Sequence, residues 1–137
     1  MATVTGKYLG GLRVEAKHEQ SGATVIFDAP CDNGGQGRSF SPTDMCSTSL
    51  ATCALTIMGL FAQNHGLSID GATFELIKTM SDNPPRRIAK IEIVFTMPDN
   101  NFTDKDKASL ERASKTCPVR LSLHPEVEQV VTFKWAQ

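Results

Sequence analysis

Several familiar signatures are missing. The 137-residue sequence has four cysteines but no C-x-x-C pair, and a structural zinc site normally shows one or a Cys/His analogue. The stretch "CDNGGQGRSF" is rich in glycine but lacks the G-x-x-x-x-G-K-[ST] spacing of a phosphate cradle, so it reads as a mobile surface loop. Charge excess is missing too. A formal net charge of −1 gives neither nucleic acid nor an anionic membrane an electrostatic reason to bind. The opening "MATVTGKYLGGLRVEAKH" lacks the basic-then-apolar pattern of a secretory signal, so a cytoplasmic location is expected and structural disulfides are not. These absences leave a protein expected to need no metal and no organic cofactor, whose partners are small molecules or protein.

What is present begins with one long uncharged stretch, "MCSTSLATCALTIMGLFA", from Met45 to Ala62. It approaches the length of a membrane span. Its serines and threonines, Gly59 and the lack of a basic flank fit a helix buried inside protein better. The preceding "SPTD" marks the start of that helix: Ser41 caps, Pro42 suits the first helical position, and Asp44 reaches back toward the cap. Gly66 suits a left-handed end, which gives about 24 residues and roughly 36 Å.

Strand signals lie on both sides. Residues 3–19 alternate locally around the turn Gly10–Gly11, and "ATVIFDAP" is a short β-branched and aromatic run. "ATFELIKTM" and "RRIAKIEIVFTMP" form a second hairpin across "SDNPP", and "EVEQVVTFKW" closes the chain as a strand. Between them "FTDKDKASLERASKTC" is a helix capped by Thr103, with Ala108, Leu110 and Ala113 as its apolar positions. The order predicts an α+β fold with an antiparallel-dominated sheet, in a single domain over residues 1–137. The long helix offers no consistently polar side to water. A second copy of the chain is the simplest cover, so a two-fold homodimer is expected, against the alternative of a helix sandwiched within one chain.

The cysteines carry the chemistry. Cys46 and Cys53 lie seven residues apart, close to two helical turns, and therefore on one helix face. Cysteine in such a setting is ordinarily a small buried hydrophobe. Cys117 directly precedes Pro118, so it leaves the preceding helix and becomes the cap of a new turn, "PVRLSL". A thiol at a helix start with Arg120 nearby is expected to have a lowered pKa. On these local grounds it is either an incidental boundary thiol or a reactive one.

The combination of "FSPTDMCSTSLATCALTIMGLFAQNHG", "YLGGLR" and "LERASKTCPVRLSL" resembles the OsmC/Ohr family of osmotically inducible and organic hydroperoxide resistance proteins, over essentially the whole chain. The resemblance implies an OsmC-like fold, an intertwined homodimer whose sheets wrap the long central helices, and a thiol-dependent peroxidase acting on organic hydroperoxides in oxidative stress defence. It assigns Cys53 as the thiol that attacks the peroxide, Cys117 as the thiol that resolves the sulfenic acid, and a dithiol reductant, with lipoyl-type dithiols among the candidates.

Family peroxidases also hold an arginine and a glutamate beside the reactive thiol. Arg13 matches the arginine, although Leu12 separates it from the glycines. A one-residue slip in a strand turns a side chain to the other face unless a bulge absorbs it. The glutamate position is Thr43. Asp44, about 100° further round the helix, is the candidate substitute, with capping as its other role. Arg38, Arg120, His18 and His65 are further polar candidates with solvated surface roles as the alternative. The competing reading is an OsmC-like protein with weak or no peroxidase activity that binds an apolar small molecule at the dimer interface.

Overall fold

The computed structural model of the chain describes residues 1–135. The chain divides into two compact units, Met1–Cys46 and a second from Ser47 onward.

The first unit is built on an antiparallel sheet of β1 (Val4–Gly10), β2 (Arg13–His18) and β3 (Thr24–Asp28), in that order. The β1–β2 turn places Gly11 and Leu12 at φ 63° and 62°, the pair of left-handed residues that matches the twist of a tight hairpin. Leu12 is strained there, at a cost of about 1–2 kcal/mol for a side chain with a Cβ. Two hydrogen bonds hold it: its N–H donates to Tyr8 Oη at 3.2 Å, and its carbonyl accepts from Ala29 N–H at 3.2 Å. The β1–β2 register shifts between Tyr8 and Gly10, so Arg13 pairs with Gly10, and the regular β2–β3 register pairs Arg13 with Asp28 on its other side.

The glycine-rich segment after β3 is more structured than a free loop. It contains a 3-10 turn at Cys31–Asn33. Gly35 lies so close to Ala29 that an added Cβ would stand 1.9 Å from the Ala29 carbonyl oxygen.

Helix α1 (Pro42–Asn64) starts where "SPTD" predicts and stops two residues before Gly66. Its cap is reciprocal. Ser41 Oγ accepts from Asp44 N–H and Asp44 Oδ2 accepts from Ser41 N–H, both at 3.0 Å.

The second unit contains most of α1, a sheet of β4 (Thr73–Met80), β5 (Ile88–Thr96) and β6 (Glu128–Lys134), and the helices α2 (Asp104–Ser114) and α3 (Pro118–Ser122). The β4–β5 pair is antiparallel, whereas β6 runs parallel to β5. Parallel neighbours need a long crossover, and α2 with α3 supplies it. The core gathers Leu50, Ala51, Ala54 and Met58 of α1, Ile91, Ile93 and Phe95 of β5, Leu110 of α2, and Cys117. Phe95 sits at its centre, stacked on Phe133 with ring centroids 5.3 Å apart.

Helix α2 is capped as expected, by a reciprocal Thr103–Asp106 pair. Its inward face differs from the sequence reading. Leu110 and Ser114 are buried, one helical turn apart, while Ala108 is exposed. Two residues at 100° each put Ala108 about 200° from Leu110, on the solvent side. On α1, Thr52, Thr56, Leu60 and Gln63 form an exposed stripe at helical spacing, with Leu60 54% exposed.

Candidate active site

Two cysteines meet in the second unit. Cys53 lies on α1, half-buried and packed against the core. Cys117 lies at the entry to α3 with φ −59° and ψ 125°, the extended conformation that a following proline imposes. Its side chain is fully buried. Cys117 Sγ accepts the Arg120 backbone N–H at 3.4 Å and lies close enough to the Cys53 side chain for that group to act on its pKa. Both are free thiols.

Burial pushes the Cys117 pKa above its ordinary value, and the Cys53 side chain adds to the rise. The Arg120 and Val119 backbone N–H groups act the other way and are outweighed. The lowered pKa expected from a helix start is therefore overturned. A five-residue helix offers two N–H donors, while complete burial removes the water that a thiolate needs. The geometry thus distinguishes the two sulfurs. Cys53 has a route to solvent, and Cys117 is a sequestered, neutral thiol held against it.

Arg13 and Asp44 belong to the first unit. Arg13 Nε lies 3.9 Å from Asp28 Oδ2. Asp28 is fully buried at the end of β3, and the same oxygen accepts from Arg38 N–H at 3.0 Å and Arg38 Nε at 3.2 Å. The Arg38 backbone N–H is the largest cause that holds the Asp28 carboxyl below its ordinary pKa. Burial opposes it, and the Arg38 and Arg13 guanidinium groups reinforce it. Arg38 is thus tied to a buried carboxylate by a half-exposed side chain, not simply solvated. Asp28 was not a candidate on sequence grounds: an acid closing "VIFDAP" looks like an ordinary turn residue. The Asp44 carboxylate is engaged in the α1 cap.

The other candidates have local roles. Cys31 and Cys46 are exposed. Seven residues along a helix span about 10.5 Å, beyond the roughly 7 Å limit for bridging Cα atoms, so Cys46 cannot pair with Cys53 within α1. His18 Nδ1 contacts Ser21 Oγ at 2.7 Å, and His65 stacks on Phe61 with ring centroids 3.9 Å apart. The Arg120 contribution to the cysteine pair comes from its backbone.

Comparison with known proteins points one way. The model of the OsmC-like protein family matches residues 35–131. A solved structure from Psychrobacter arcticus, of a protein provisionally described as an osmotic-stress-induced and detoxification response protein, is 41% identical. It superposes with a TM-score of 0.91 over 97% of this chain and 96% of that one. An OsmC-like protein from Mycoplasma pneumoniae shares the fold at 18% identity and TM-score 0.78, over 98% of this chain and 96% of that one. An organic hydroperoxide resistance protein from Elizabethkingia anophelis shares it at 15% identity and TM-score 0.74, over 99% and 98%. A comparison with curated proteins gives no significant match.

Proposed function

We propose, since the chain belongs to the OsmC-like protein family, that it is a thiol-dependent peroxidase that reduces organic hydroperoxides with Cys53 and Cys117. Membership suggests a peroxide-related stress role. The observation that carries the specific reading is the contact between the half-buried Cys53 and the buried Cys117.

The steps follow from that contact. The Cys53 thiolate attacks the terminal oxygen of R–O–O–H, the O–O bond breaks, and the alkoxide leaves as alcohol after taking a proton. Cys53 becomes a sulfenic acid. The Cys117 sulfur then attacks the Cys53 sulfur, and the departing hydroxide takes the Cys117 proton to leave as water. The product is a Cys53–Cys117 disulfide, which a dithiol restores to two thiols by exchange. A neutral Cys117 suits this order because it does not compete for peroxide. The packing of Cys53 against the apolar core favours substrates with an alkyl or lipid tail.

In this reading Arg13 stabilises the Cys53 thiolate, from its own chain or from a partner's. Asp28 is the carboxylate that accompanies Arg13, in place of the glutamate absent at Thr43, while Asp44 serves the helix. The active form is a cytoplasmic homodimer that covers the exposed α1 stripe.

A coupled assay tests the proposal. With cumene hydroperoxide and a dithiol such as dihydrolipoamide, the purified protein consumes peroxide catalytically, and Cys53→Ser removes the activity. Absence of turnover with every dithiol tried would overturn the reading.

A further inference from the structure

Gln129 is a half-buried polar residue that the peroxidase steps leave unused. It sits on β6 opposite Ile91 of the central strand β5, and its Nε2 donates to the Arg120 carbonyl at 3.3 Å. Its Oε1 is buried without a hydrogen-bond partner among the described residues. A carbonyl only accepts, so the amide nitrogen must face Arg120. A methionine or leucine would fill the same space without an orphaned oxygen. Leaving a buried amide oxygen unsatisfied costs more than one neutral hydrogen bond returns. Stability alone therefore does not account for an amide at this position.

Its partner does. Arg120 is the residue whose N–H caps the Cys117 sulfur. One peptide backbone thus joins the two contacts: the sheet holds Gln129, Gln129 holds the Arg120 carbonyl, and the Arg120 N–H holds Cys117 Sγ. Helix α3 has only five residues, and bonds from Leu121 N–H to the Cys117 carbonyl and from Leu123 N–H to the Val119 carbonyl, at 3.1 Å each, tie it to its flanks. So short a helix does not hold its own position.

We propose that Gln129 is a positioning residue for the resolving cysteine, fixing α3 to the sheet so that Cys117 Sγ stays aligned on Cys53. This rests on the peroxidase reading for its purpose, although the alignment itself can be measured without peroxide. Misplacing a reacting atom by about 1 Å can cost about a hundredfold in rate. Gln129→Met is accordingly expected to slow disulfide closure about tenfold or more and leave the first oxidation of Cys53 unchanged. The longer-lived sulfenic acid is then oxidised further to sulfinic acid.

The test uses rapid quench and mass spectrometry of the full chain in two arms, one with excess cumene hydroperoxide and one with diamide, which converts a dithiol to a disulfide without peroxide. Ile91→Val serves as the control, because it loosens the packing opposite Gln129 and keeps the donor. Gln129→Glu is the second variant, since the carboxylate keeps the length and lacks the N–H. Slow closure in both Gln129 variants, with normal closure in Ile91→Val and more sulfinic acid at Cys53 in the peroxide arm, supports the proposal. Wild-type closure rates in the Gln129 variants, or equal slowing in Ile91→Val, would overturn it. If cumene hydroperoxide oxidises no cysteine in the wild type, the peroxidase reading fails, and the diamide arm still decides the positioning role.

Discussion

The Cys117 sulfur is buried against Cys53 with two kinds of contact acting on it: a backbone N–H that favours the thiolate and a neighbouring thiol that disfavours it. Burial decides between them, and the thiol stays neutral. The pair is therefore asymmetric before any oxidant arrives.

Alkylation should report that asymmetry. In the native reduced protein, iodoacetamide is expected to modify Cys117 at least about tenfold more slowly than in urea, because the thiolate is the reactive form. Cys53→Ala removes the neighbour and leaves the burial, so the pH at which Cys117 begins to react should fall without returning to the ordinary thiol value. Peptide mapping over a pH series checks both statements. Because the Cys117 pKa is raised in the folded state, its contribution to stability is fully present below the unfolded value, near 9.0. It is lost as pH climbs through the folded value.

Asp28 has the opposite dependence. Its pKa is lowered, so its contribution is present above the unfolded value of 3.8 and is lost as pH falls through the folded value. Asp28→Asn should lower the urea midpoint at pH 7, with the gap to wild type closing on acidification. A gap that stays constant from pH 7 down to pH 2 would contradict the ion cluster of Arg13, Arg38 and Asp28.

The left-handed Leu12 makes a surface position sensitive. Leu12→Val should lower the melting temperature despite the residue's exposure, since a β-branched side chain tolerates φ near 62° less than leucine does. Leu12→Gly should leave the melting temperature equal or higher, because relief of strain offsets the lost chain restriction. Thermal unfolding of the two variants compares them directly.

The exposed α1 stripe bears on assembly. Leu60→Lys places a charge where a second copy is proposed to pack, and it should shift the protein from dimer to monomer in sedimentation equilibrium at micromolar concentration. An unchanged dimer would move the interface elsewhere.

Much of the fold is legible in the sequence wherever partners lie within a few residues of one another. "SPTD" gives the start of α1 because Ser41 and Asp44 satisfy each other across three positions, and Thr103 with Asp106 does the same for α2. Pro118 likewise fixes Cys117 as a cap. Legibility fails where partners are distant. Asp28 gains its partners because the β2–β3 register sets Arg13 opposite it and a glycine-rich loop returns Arg38 to it, and neither event has a local pattern. The parallel pairing of β6 with β5 and the Gln129 contact with Arg120 depend on the crossover. The Cys117 pKa is illegible for the same reason: the helix start is local, and the burial that outweighs it is not.

The central claim is that Cys53 and Cys117 work as one redox pair. Mass spectrometry of the reduced protein after one equivalent of cumene hydroperoxide tests it most directly. The account predicts a chain lighter by two hydrogens and a linked peptide joining Cys53 to Cys117. Stable sulfenic or sulfinic acid at Cys53 with no linked peptide, or oxidation confined to Cys31 and Cys46, would contradict it.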